Sequence, residues 1–205
     1  MNEKELVTTP QGYLQPNDNF MKDFMDSMVG LTPSFDKIKI PSGGGIAFEV
    51  PGDDIENPDL VKEFKGVILF QYPMNTYYRV KYDGSSNPPD CSSQDGIYGV
   101  DAETGEAKEC ANCPNFQFGS EGTHSKACKQ KRRMYILREG EVFPVVMTIP
   151  TGSIENYATY NVRLGNKRRS MSDVVTKFSL IKDKNANGIF YSKVNLSFDR
   201  ALSQE

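Results

Sequence analysis

The chain has 205 residues, 38% of them hydrophobic, with 17 Gly, 12 Pro and a formal charge of −3. That length and apolar share suit one folded domain with an insertion and many loops, and exclude disorder throughout. No run approaches the ~20 apolar residues that span a bilayer, and the opening MNEKELVTTPQ lacks a basic end and an apolar stretch, so a cytoplasmic protein without a membrane partner is expected.

The first ten residues read as a loose tail. Phe20, Met21, Phe24, Met25 and Met28 then recur at helical spacing, with Asn17 or Asp18 as cap and Gly30 and Pro33 as stop. A short amphipathic helix is expected there, its Met/Phe stripe packing into a core rather than serving a partner. Beyond Pro33 the period becomes strand-like at 35–40, at 46–50 after an SGGG turn, and at 64–72, where GVILFQY is the best candidate for a central strand buried on both faces. The intervening PGDDIENPDLVKEF reads as an acidic loop with room for one helical turn. YYRVKY at 77–82 alternates, putting Tyr78, Val80 and Tyr82 on one face and Tyr77, Arg79 and Lys81 on the other.

Residues 83–129 are rich in Gly, Ser, Asn, Pro and Asp. They form an insertion without a core of its own, which something other than burial must order. Strands resume at 133–137 and 142–149. Residues 153–164 read as a helix capped by Ser153, with Ile154, Tyr157, Ala158 and Val162 near one face. Two last strands, 174–181 and 188–198, flank a turn whose Asn187-Gly188 favours a hairpin.

Charge is unevenly spread. Residues 1–125 hold 9 Lys/Arg against 20 Asp/Glu, while residues 126–205 hold 15 against 7. The basic C-terminal part points either to an anionic partner or to a solvated face balancing the acidic half.

All four cysteines, Cys91, Cys110, Cys113 and Cys128, lie in the insertion with spacing C-x18-C-x2-C-x14-C. A CxxC turn aims two thiolates at one ion and two remote thiolates complete a tetrahedron, so structural Zn2+ is the expected cofactor. Two disulfides, a thioredoxin-like pair and four unrelated thiols compete with this. They fit a reducing compartment, and a CxxC in a loop, less well. His124, the single histidine, is surplus to four thiolates.

Catalytic patterns are missing. No GxxxxGK[ST] loop is present, SGGG leads into a strand, and triads would all have to use His124. Acid pairs such as Asp53-Asp54 read as solvated. The expectation is a binder, not an enzyme.

Basic and aromatic residues interleave at 77–82, at KQKRRMY (129–135) and at RLGNKRR (163–169). Single-stranded nucleic acid needs flat rings for its bases beside cations for its phosphates, and no recognition helix for a major groove is evident. The candidate contacts are Tyr77, Tyr78 and Tyr135 for stacking, with Arg79, Lys81, Lys131, Arg132, Arg133, Arg168 and Arg169 for phosphates. An ordinary amphipathic strand is the competing reading for 77–82.

FKGVILFQYP, YYRVKYDGSSNPPDCSSQDGIYG, CANCPNFQFGS, KACKQKRRMYIL, IPTGSIENYATY and VVTKFSLIKDKNANGIFYS, in that order over residues 64–198, resemble a group of phage and mobile-element proteins regarded as single-stranded-DNA-binding. The most specific parts are DGxxNPPDCSSxDGxxG and CxxCPxxxFGS. The resemblance implies a mainly β fold, an OB-like five-stranded barrel with a zinc-stabilised loop and short accessory helices, and it puts the four cysteines on the metal. Residues 1–34 would be tail and helix, residues 35–205 the β domain with its insertion at 83–129. The function so implied is binding of single-stranded DNA in replication or recombination, with proteins of those processes as partners; RNA in place of DNA, and self-association, stay open. The SFDRALSQE end is not the acidic, aromatic-ended tail that many bacterial single-strand binders use for recruitment. The alternative from another class is a zinc-stabilised protein-interaction module of a replication or virion complex.

Overall fold

The computed structural model describes residues 7–8, 12–54, 56–80, 87–122, 125–185 and 188–202. In chain order the elements are β1 (Val7–Thr8), β2 (Leu14–Gln15), α1 (Asp18–Ser27), β3 (Lys37–Ile38), β4 (Phe48–Val50), β5 (Asp59–Val61), β6 (Glu63–Tyr77), β7 (Cys91–Ser93), β8 (Tyr98–Asp101) and β9 (Ala107–Glu109). There follow β10 (Lys129–Leu137), β11 (Val145–Ile149), α2 (Ile154–Asn166), β12 (Val174–Lys184) and β13 (Phe190–Ala201). The chain is mainly β, as its sequence implies. Its large sheet is mixed, and the pairing order is open, without a closed barrel among the described strands. No described helix is long and apolar enough to cross a membrane.

Contacts divide the chain into two units. Met1–Phe70, Tyr135–Met147 and Asn156–Glu205 make the first; Gln71–Met134 and Thr148–Glu155 make the second.

The first unit is built on the antiparallel β12–β13 hairpin, whose register shifts between Val175 and Thr176. β12 also pairs with the start of β6, β4 pairs with β5, and β11 runs parallel to β3. Alternating apolar residues turn one face inward. Phe64 stacks on Phe178 with ring centroids 4.7 Å apart, and Phe48 meets Phe64 edge-on at 5.0 Å. Gly66 lets two strands approach: a Cβ there would stand 2.5 Å from Ile136 Cγ2. Helix α2 buries Tyr157, Tyr160 and Leu164 at i, i+3 and i+7, and the Tyr160 and Thr176 hydroxyls, both buried, lie 2.8 Å apart. Val162, expected on that face, is 64% exposed, because 157, 160 and 164 define a stripe rotated away from it.

Other expectations are met in part. Asn17 caps α1 by accepting the Phe20 N–H at 2.8 Å, and Phe20 and Phe24 pack on Phe143. Yet no residue of α1 is buried, so the stripe rests on one ring instead of entering a core. The acidic loop forms no helical turn among its described residues; its end becomes β5. In β6, Val67 and Ile68 are buried but Leu69 is 47% and Phe70 61% exposed, so burial on both faces fails beyond Ile68. That strand continues to Tyr77, its last seven residues belonging to the second unit.

In the second unit the insertion adds β7, β8 and β9 antiparallel to the end of β6. The strand expected at 77–82 stops at Tyr77 because the chain bends at Arg79 and Val80; Lys81 and Tyr82 lie outside the described residues. The buried apolar residues here are Met74, Cys110, Cys128, Met134 and Ile149. Asn75 and Thr76 are buried with Asn75 Oδ1 and Thr76 Oγ1 lacking a hydrogen-bond partner among the described residues.

Candidate nucleic-acid interface and metal centre

Local turn chemistry explains how the four cysteines are placed. Cys91 opens β7 opposite Tyr77. The β7–β8 turn is held by Asp95, whose carboxylate accepts the N–H groups of Ile97 at 2.7 Å and Tyr98 at 2.9 Å and the Ser93 hydroxyl at 2.9 Å. Those backbone donors, Ile97 first, hold the Asp95 carboxyl below its usual pKa. Gly96 supplies the positive φ of +73° that the turn needs. Gly99 follows in β8, where a Cβ would stand 3.0 Å from Cys91 Sγ and 3.6 Å from Cys110 Sγ. A side chain there would push the sulfurs apart.

Cys110 donates its N–H to Ile97 O at 2.7 Å, and Cys113 donates to Cys110 O at 3.1 Å, closing the CxxC turn. Pro114 then opens a one-turn 3-10 helix. Cys128, at the mouth of β10, donates to Asn115 O at 2.8 Å. All four side chains line one cavity of about 300 Å³, with Asn75, Tyr77 and Arg79 among its other walls.

None of the four is in a disulfide. Burial, and then the neighbouring Cys110 and Cys113, raise the Cys91 thiol; burial and the same neighbours push Cys128 up to about 12. Four soft donors on one cavity repel one another as thiolates, and a divalent cation relieves that repulsion. Among the described residues no group of three or more Cys, His, Asp and Glu is already drawn into ion-holding geometry. The donor chemistry fits zinc, provided the thiols close further around it. His124 lies outside the described residues.

The basic and aromatic candidates separate into distinct settings. Arg79 donates to Glu103 at 2.6 Å and lies 3.5 Å from Asp101 and 3.9 Å from Asp90, while its N–H reaches Asp90 at 2.8 Å. Glu103 above all holds its guanidinium protonated. It is a clamp on the insertion, and a phosphate would have to displace three carboxylates to reach it. Tyr77 faces the thiol cavity. Tyr78 is 41% exposed, with Lys131 Nζ 6.0 Å from its ring centroid. Burial, then Arg133, lowers the Lys131 pKa.

Arg133 donates to the Tyr72 hydroxyl at 3.2 Å and to Thr148 Oγ1 at 3.4 Å, with its guanidinium 6.0 Å from the Tyr72 ring centroid. Arg132 donates to Gln71, on the opposite side of β10. In the first unit Tyr135 meets Phe35 edge-on at 5.8 Å and Phe70 at 6.2 Å, and Arg168 and Arg169 follow the end of α2. Lys81 lies outside the described residues.

Sequence reading missed several aromatics that stand beside cations or in the open. Tyr72 and Phe70 were assigned to a buried strand. Phe118 is 79% exposed, with Lys126 4.6 Å from its centroid. Phe190, at the hairpin end, has Lys182 at 4.1 Å. The cation beside Tyr72 comes from Arg133, a separation along the chain that linear interleaving does not register, whereas for Phe190 and Phe118 a Lys eight residues away was the available signal. Comparison with known protein families, curated proteins and solved structures finds no match.

Proposed function

We propose that this chain binds single-stranded DNA in phage or mobile-element replication or recombination, as a binder and not an enzyme, with structural zinc ordering its second unit. The observation that carries this reading is the set Tyr72, Tyr78, Lys131 and Arg133 in the second unit, where two tyrosine rings stand within 6.0 Å of two cations. Rings offer stacking to any base and neighbouring cations follow the backbone. Cys91, Cys110, Cys113 and Cys128 would hold the zinc, which supplies cross-linking of loops, not chemistry. The finer architecture, an OB-like five-stranded barrel with a zinc-ordered loop, is part of the same proposal and rests on the resemblance over residues 64–198; a metal-bound crystal structure tests it, since a strand order that stays open replaces it.

Titration into a fluorescent poly-thymidine oligonucleotide, with a duplex of equal length as control, tests the function. Single-strand affinity should exceed duplex affinity and fall with salt at about 0.7 log units per phosphate contact. Arg133→Ala should weaken it severalfold.

A second reading has an observation of its own. Ile97, Tyr98, Val100 and Phe118 are all about half or more exposed on the insertion, as a protein-docking surface requires. Absence of oligonucleotide binding at any salt by the zinc-loaded protein favours that module.

A further inference from the structure

Helix α2 ends in a paired hydrogen-bond motif: Arg169 N–H donates to Leu164 O at 3.1 Å and Arg168 N–H to Gly165 O at 2.9 Å. The residue between those bonds must adopt a left-handed backbone, and glycine, sometimes asparagine, ordinarily stands there. Here it is Arg168, with φ +54°, the one non-glycine at positive φ among the described residues. An arginine at this position is kept against backbone strain.

Its side chain has no ion pair or hydrogen bond among the described residues to repay that cost. Arg79, Arg138 and Arg200 are each ion-paired to carboxylates, whereas Lys167, Arg168 and Arg169 have no ion pair among the described residues. Asp173, the nearby acid, accepts the Ser170 N–H at 2.8 Å, and Ser170 first and the Arg169 charge after it lower its pKa without an ion pair forming. The three cations border a cavity of about 580 Å³ with Ser172, Asp173 and Leu202. Beside them Phe198 of β13 is 41% exposed, with Lys167 Nζ 5.3 Å and the Arg169 guanidinium 5.8 Å from its ring centroid.

We infer that this corner of the first unit is a second contact for single-stranded nucleic acid, Lys167, Arg168 and Arg169 taking phosphates and Phe198 stacking a base. The inference rests on the binding function proposed above. Its competitor is purely structural: cations at a helix C-terminus favour the helix dipole.

Two variants of the full-length protein separate these roles, read by poly-thymidine titration over a salt series and by thermal unfolding. Arg168→Gly relieves the strain, so Tm should rise while affinity falls and the slope of log K against log salt shrinks by about 0.7. Phe198→Ala should lower affinity between about fivefold and a hundredfold and leave that slope unchanged. If both variants bind as the wild type does while Arg133→Ala is weakened, the second contact is overturned and the proposed function stands. If the wild type itself does not bind, both fall together. A lowered Tm for Arg168→Gly also overturns the inference, because the arginine would then be serving the helix end.

Discussion

The first unit holds twenty of the twenty-five buried apolar side chains found among the described residues, and the second holds five, two of them cysteines. Stacked phenylalanines and a helix pressed on a hairpin hold the first by removing apolar area from water, at about 25 cal/mol per Å². The second replaces that with directional parts: the Asp95 turn, the Arg79 clamp and four thiols around one cavity. Among the described residues each unit leaves two buried polar atoms without a hydrogen-bond partner, Asn75 Oδ1 and Thr76 Oγ1 in the second and Arg138 Nε and Glu141 Oε2 in the first, so the units differ in apolar burial and not in this cost. A unit with so little to bury is ordered by point contacts, and point contacts are lost one at a time.

On the proposal of structural zinc, the largest expected effect follows from removing it. Chelation of the zinc-loaded protein, or Cys113→Ser, should abolish amide protection in the second unit and leave β12 and β13 protected, since structural zinc contributes on the order of 10 kcal/mol to such modules. Uniform protection across both units in a hydrogen-exchange experiment would break the comparison. Phe178→Ala strikes the other side: losing the stack on Phe64 should cost about 3–5 kcal/mol in denaturant unfolding, and lower the global Tm.

A smaller effect is expected from Gly99→Ala. A methyl 3.0 Å from Cys91 Sγ should weaken zinc binding in a chelator competition while the first unit keeps its stability; unchanged zinc affinity would refute the role given to that glycine. The smallest effect is pH-dependent. Asp101 accepts the N–H groups of Thr104 and Glu103, which with Arg79 lower its pKa below the ordinary 3.8. A lowered folded pKa gives stability that is present above the unfolded value and is lost as pH falls through the folded one. Asp101→Asn should therefore loosen the second unit at neutral pH, and the difference from wild type should shrink as acid protonates the wild-type carboxyl.

Part of this organisation was legible in the linear chain. Asn17 before the Phe/Met spacing, the helical pattern at 153–164 and the strand segment ahead of the Asn187-Gly188 turn each report local geometry, so α1, α2 and β12 follow from local sequence. The CxxC spacing marked Cys110 and Cys113. The exposure of Phe70 was not legible, because an apolar run looks the same whether or not a neighbour covers it. Nor was the fate of Arg79: its three carboxylates lie 11, 22 and 24 residues away.

By itself the sequence determined the β-rich class, the helix positions and the placement of all four cysteines in a segment too poor in apolar residues to fold by burial. These depend on residue type and near neighbours, which the chain states directly. Only the tertiary structure decided which cations are ion-paired and which have no ion pair among the described residues. Arg79 is neutralised by partners distant in sequence, while Lys167 and Arg169, on either side of the strained Arg168, stand over Phe198, about thirty residues further along the chain, and charge balance between such groups is set by distance in space.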